Sequence, residues 1–570
     1  MDLPYRSGIP HRSSHGRRIA NLLWPLAFLL LSSCWEVTYF ATFGNGGAVR
    51  TDGAAVGPVA GFGSVTVGGA VFSEDNVTTV VDDLGRNTGD LIAGMVLTVR
   101  GTLSADFGTG SASSITVERE IRGPVDDNGV LSDSGTIRVM GQTVLVNPAT
   151  VMVRSDGGEF DIEGLKTDVD NNALRPEIEV HGARDDGGFL HASFVGRGRD
   201  NVLADETVWL RGSISGVDGL ERSFRIGDQQ VNFSSIPSSG RVNWPVTGLA
   251  DGLVVDVRGR LDAVGGNGIL RTDRTDDRIE VLKVDLGGSG DHLTLEGYVV
   301  SGTASAFSVS VPGGTVVVNG GVPPKGAAFD VGERVQVKGK VTGSAGTNVQ
   351  ASAIEVRRPN EILLEGSPDA IDPVGNTITL LGKTVEVDDF TLFRDGTGTV
   401  RNQFGLADLS TSHTIRVAGV FDSAVPSGKV LATKLERLTL VPASSVTAQG
   451  AVSAVAAPAY TVLDLPGIVV LTGQRQNTDY FLLGGIQSDG ATFFQNLSIG
   501  TIVIARQGIF TGGPPRITEP DPESAVGPLE HQDLEVPVRG PAPLGLGEAF
   551  GAPGVLGRGG WGRGVALHAR

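Results

Sequence analysis

Apolar and polar residues alternate with a period of two along most of this chain. "TIRVMG" places Ile137 and Val139 on one face, "EIEVHG" does so with Ile178 and Val180, and "RVQVKG" with Val335 and Val337. This is the pattern of an antiparallel strand buried on one side. Turn pairs such as Asp186-Gly187, Asp218-Gly219, Asp251-Gly252 and Asn319-Gly320 separate the strands. Stripes of helical period are hard to find, and 83 Gly and 28 Pro weigh further against helices. The expected class is all-β, with small antiparallel barrels as the natural outcome.

The pattern is also a repeat. An aliphatic residue, any residue, Val or Ile, any residue and Gly recur as strings ending at Gly101, Gly182, Gly259, Gly339 and Gly419, spaced 81, 77, 80 and 80 residues apart. A looser copy ends at Gly508. A second motif, a hydrophobic residue two before a Gly, opens each unit at Gly63, Gly123, Gly212, Gly297, Gly366 and Gly450. Strand–Gly turn–strand strings such as "VMGQTVLV" and "LLGKTVEV" lie between them, and strings such as "ASSITVE" close the units. Fixed-period self-similarity settles architecture before chemistry. About six tandem barrels of roughly five strands are expected, at 58–120, 121–200, 207–284, 293–358, 361–440 and 445–517, the last divergent. A linker over 34–57 precedes them. The Gly ending each aliphatic string is expected at a kink or bulge. Asp285–His292 reads as the most flexible joint, and 518–570, rich in Pro and Gly, as a disordered tail.

The order "GFGSV", "GGAVF", "GMVLTVRGTL", "GTGSASSITVE" in the first unit resembles the bacterial family called domain of unknown function 5666. The resemblance covers residues 58–440 well and 445–510 poorly. It implies tandem copies in an exported protein and barrels similar to OB-folds. The family has no assigned activity, so it supplies no functional residues.

Cys34 is the only cysteine. Before it lie Arg12, Arg17 and Arg18, then an apolar run from Ile19 to Leu31 broken only by Asn21 and Pro25. That run has the length of a secretory signal core and is too short to span a bilayer. Leu31, Ser32, Ser33 and Cys34 resemble the lipobox of bacterial lipoproteins. The resemblance implies cleavage after residue 33 and a lipid on Cys34, tethering the mature chain to the membrane. Trp35, in place of Asp, favours the outer membrane, with the protein either periplasmic or displayed at the surface. With one cysteine, no intramolecular disulfide forms.

Charge and side-chain inventory narrow the chemistry. A net charge of −18 repels phosphate backbones, and 6% aromatic residues is thin for stacking on bases, so no nucleic-acid partner is expected. Trp209, Trp244, Tyr298 and Phe307 are scattered over different units and read as packing residues. No Gly-x-Ser-x-Gly, His-Glu-x-x-His or P-loop string is present, and "GSGDHL", Gly288–Leu293, lies in the loosest joint. His181 and His191 flank a turn at Asp185–Gly188, with Glu179 nearby. They are either a weak metal candidate or a solvated surface pair. The equivalents of His181 in other units, Arg100, Arg258 and Lys338, favour the outward, solvated placement. Asp168, Asp170, Asn172 and Glu179 imitate a calcium loop, but Ala173 replaces the required Gly. No cofactor is expected. The sequence thus points to a non-enzymatic envelope lipoprotein, a beaded interaction or spacer rod with an envelope protein or polysaccharide as partner. The alternative is a polysaccharide- or metal-ion-binding module of the envelope or of a secretion system.

Overall fold

The computed structural model describes residues 50–518, apart from 62–63, 75–78, 83–90, 132–133, 156, 265–267, 321–328, 344–346, 358–361, 389–390, 397–403, 423–428, 439–444, 464–466, 474–477, 483–485 and 513. The lipobox with Cys34 and the segment 519–570 lie outside the described residues. Strands dominate, in sheets of 11, 13 and 12 strands and a two-stranded ribbon. The three large sheets are built on small five-stranded barrels with outer strands.

The first unit shows the plan. Its strands are β1 (Arg50–Gly61), β2 (Val65–Val67), β3 (Ala70–Ser73), β4 (Thr79–Asp82), β5 (Val96–Ser104) and β6 (Thr109–Glu118). β1 pairs antiparallel with β2 and β5, β2 with β3, and β5 with β6, while β3 runs parallel to β6. The ring closes in the order β1-β2-β3-β6-β5, and β4 adds outside it on β6. Alternation sends Val65, Val67, Phe72, Leu97, Val99 and Ile115 into its core. The second unit repeats the ring with β7 (Ile121–Leu131), β8 (Thr136–Val139), β9 (Gln142–Leu145), β11 (Glu177–Arg184) and β12 (Leu190–Arg197), and β10 (Val151–Arg154) lies outside on β12.

The same order of pairings recurs in the strands of 207–281, 292–357 and 446–518. In 362–437 the first strand is split into Ile362–Gly366 and Ala370–Asp372, around Ser367-Pro368. Proline has no N–H for a ladder.

Two local expectations need correction. The first strand starts at Arg50, inside the expected linker. Gly57 takes the opening-glycine place there, and Gly63 lies outside the described residues. Gly57 faces Leu97, four residues before Gly101, as Gly123 faces Ile178 and Gly297 faces Val335. A helix also exists. α1 (Ile162–Asp170) starts at Asp161, whose carboxylate accepts the Gly164 N–H at 2.8 Å, and it buries Leu165 and Val169.

The string-ending glycines are corner residues, as expected. The ladder shifts register at Arg100/Gly101, His181/Gly182, Lys338/Gly339 and Ala418/Gly419. A Cβ on Gly101 would land on the carbonyl oxygen of Ser111, and one on Gly182 on that of His191. Gly259, Gly339 and Gly419 face the carbonyls of Arg271, Gln350 and Leu431 in the same way. The sequence period is therefore a steric period: once per barrel the facing backbone leaves no room for a side chain.

The units do not follow one another as independent beads. Gly53–Val56 of β1 runs parallel to His292–Leu295 of the strand His292–Thr303, so the first unit shares a sheet with the fourth. Arg122 and Ile121 of β7 pair with Trp209 and Leu210 of β13 (Thr207–Asp218), joining the second unit to the third. Leu363–Glu365 pairs with Thr447–Gln449, joining the fifth to the sixth. Ala93, Val151, Val153, Phe194 and Leu392 form one apolar cluster across the first, second and fifth units. The joint Asp285–His292 is held rather than loose. Leu286 is 2% exposed, Arg100 reaches Asp285 at 3.1 Å, and the His292 ring meets the Ser104 carbonyl at 3.1 Å.

Gly101→Ala is expected to destabilise its barrel by about 2–3 kcal/mol, the cost of overpacking a site with no slack. Gly219→Ala, at an exposed turn with nothing near the new Cβ, is expected to stay within about 0.5 kcal/mol of the parent. Thermal melts of the two variants beside the parent check the pair.

Candidate functional site

The sequence candidates separate in space. In the β11–β12 hairpin His181 faces Phe194 and His191 faces Ala183, so the two imidazoles are not opposite one another. His181 is fully buried, not solvated. Its Nδ1 meets the Glu118 carbonyl at 2.7 Å and its Nε2 the Glu179 carboxylate at 3.0 Å. The ring is thereby held between a backbone carbonyl of the first unit and a carboxylate of its own strand. His191 instead bonds Asp185 at 2.8 Å and stacks on Tyr298 at 4.1 Å. Asp168 and Asp170 belong to α1 and pair with Arg197 and Lys166. No group of three potential metal-binding side chains converges among the described residues.

The outward-cation expectation is met in part, since none of the three cations is buried, yet Arg100 and Arg258 are engaged by neighbouring groups. Arg100 is spent on Asp285, and Arg258 lies 5.1 Å from the Trp209 ring centre, while Lys338 is half-buried. Arg119 and Arg122 cover the same ring at 5.7 Å each, so Trp209 is packed among three guanidinium groups.

The densest chemistry lies where the first, second and third units meet. Arg119 and Glu120 connect β6 to β7, and Arg211 enters from β13. Arg211 pairs with Glu118 at 2.8 Å and with Asp256 at 3.2 Å, with Glu120 at 3.9 Å. Arg184 reaches Glu120 at 3.4 Å, and Arg119 reaches Glu179 at 3.2 Å. Burial pushes the carboxyl groups of Glu120 and Asp256 above their usual range, against the pull of Arg211. Burial would raise Glu179 too. There the hydrogen bond from His181 and the charges of Arg119, His181 and Arg122 outweigh it and hold the pKa at about 2. A second junction joins the second and fifth units. Arg394 bridges Glu159 and Glu436, and Lys434 donates to the Thr150 carbonyl at 3.3 Å. Burial, with Arg416 and Arg394 close by, lowers Lys434 to about 7.

A cavity of about 60 Å³ opens where the first, second, fourth and fifth units converge. Its polar wall holds the stacked His191–Tyr298 pair and the Glu296–Arg334 ion pair. Its apolar wall includes Pro58, Ala149 and Leu392. Little in the sequence signals this site, because its residues come from four repeats and meet only through the non-sequential packing.

Because the Glu179 carboxylate is held below its unfolded value, it stabilises the fold above about pH 4.5, and that contribution is lost as pH falls toward 2. Glu179→Gln is therefore expected to cost about 2–3 kcal/mol at pH 7. Denaturation curves between pH 7 and 3 should show the gap from the parent closing.

A family model described as "Domain of unknown function (DUF5666)" matches residues 122–195 and 365–436, which are the second and fifth units. The strings of the first unit lie outside both segments. No curated protein matches the chain in sequence. The chain thus carries DUF5666 domains at two positions, in tandem along a repetitive β architecture.

Proposed function

We propose that this chain is a non-enzymatic lipoprotein of the bacterial envelope, tethered through Cys34 to the outer membrane, that acts as an interaction scaffold. Its six units are copies of one OB-like barrel, the reading favoured by the recurring order of pairings. The observation that carries the scaffold reading is the sharing of sheets and buried ion pairs between units. Barrels joined this way present their surfaces at fixed separations, which suits holding partners and does not suit a loose string of beads. The spacer part of the sequence reading loses support, since the first and fourth units lie side by side. An envelope protein or polysaccharide remains the proposed partner class. Several weak contacts on one rigid body add through effective concentration.

The test is photo-cross-linking in intact cells from Leu220, Val374 and Ile499, which are 96%, 93% and 74% exposed on three different units. A scaffold is expected to give discrete adducts with the same partner set from at least two of the positions. Membrane fractionation of Cys34→Ala runs alongside and is expected to move the protein to the soluble fraction. Absence of any discrete adduct contradicts the scaffold, and an unchanged membrane fraction contradicts the tether.

A further inference from the structure

The four-unit cavity has the chemistry of a ligand site, and its polar groups are pre-set. The His191 ring is oriented twice, by Asp185 at 2.8 Å and by the face of Tyr298 at 4.1 Å. The Glu296 carboxylate is fixed by Arg334 across the neighbouring strand. Each acidic group has a basic partner, so neither pair leaves a bare charge for an ion. The acidic chain also repels anions. Those pairs present polar groups at fixed positions on the cavity wall: imidazole, carboxylate and guanidinium. Pro58 and Leu392 supply apolar contact beside them. A mostly apolar hollow with a few convergent polar groups is the usual form of a small-molecule site.

The volume sets the size of the ligand. At about 60 Å³ the cavity holds roughly four waters, comparable to a small polyol or one edge of a pyranose ring. Hydroxyl-rich neutral ligands both donate and accept, and carry C–H faces for apolar walls.

We propose that this cavity binds a small neutral polyhydroxyl ligand, a polyol or the terminal ring of a saccharide. The site exists only in the assembled repeat array, because no single unit supplies both the His191 wall and the Glu296 wall. Occupancy therefore stabilises the seam between units by mass action. The inference goes beyond the scaffold reading and stands without it.

The test is saturation-transfer NMR on the full chain with glycerol, myo-inositol, D-glucose and D-galactose, each titrated to 20 mM. Inorganic phosphate, followed by its phosphorus signal, serves as the charged control. Two variants run beside the parent: His191→Ala removes the oriented imidazole, and Ala149→Phe fills the hollow from a half-buried position. The expected result is a saturable signal for at least one neutral ligand and no binding of phosphate. Both variants should weaken that signal at least tenfold while retaining the parent's circular dichroism. If Ala149→Phe unfolds, His191→Ala alone decides. No saturable signal from any neutral probe, or an equal signal in a folded His191→Ala, overturns the proposal and leaves a cavity filled by water.

Discussion

The first strand of each barrel does two jobs, and the rest of the structure depends on it. Within its own ring it closes the barrel against the second and fourth strands. Along part of its length it also pairs with the first strand of another unit: β1 with His292–Thr303, β7 with β13, and Ile362–Gly366 with Val446–Ala456. A lone small barrel of this size is near the limit of what one core can stabilise. Sharing the first strand removes its exposed hydrogen-bonding groups and enlarges the buried surface together. The opening glycines recur for a reason inside each ring: a Cβ on Gly297 would land on the Ser310 carbonyl, and one on Gly123 on the Met140 side chain.

The buried charges follow from those seams. Glu118, Glu120, Arg211, Asp256 and Arg184 come from three units and neutralise one another only when the units dock in one arrangement. A buried ion pair adds little over an apolar pair, but losing one member strands the other at a cost of about 3–5 kcal/mol. Similar barrels carry similar apolar seams, so apolar packing alone discriminates poorly among them. The charges supply the discrimination, since docking the wrong unit leaves several ions unpaired.

The barrel was legible in the sequence because its causes are local. Alternation fixed the inward faces, and the spacing of Gly101, Gly182, Gly259, Gly339 and Gly419 marked a corner that the facing carbonyl makes obligatory. The first strand was missed because "RTDGAAVGPVAG" is built of small residues that give no alternating signal. α1 did leave a signal, Asp161 as a cap and Ile162, Leu165 and Val169 at helical spacing. A calcium-like string, Asp168 to Glu179, overlaps its end and masks that spacing. His181 was misplaced for a different reason. Its equivalents are long cations, which suggested solvent, whereas its burial is imposed by Glu118 of another unit. Which unit packs on which, and hence the cavity, depends on contacts hundreds of residues apart, and no local pattern encodes them.

The barrels are coupled through their shared first strands. The most direct measurement is native-state hydrogen exchange across residues 50–518, parent beside Leu293→Ala. Leu293 is fully buried in the fourth unit, one strand away from Ala54 of the first. The account predicts faster exchange throughout the fourth unit and, with it, in β1 and β5 of the first. Acceleration confined to the fourth unit, with β1 and β5 unchanged, would contradict it and return the chain to independent beads.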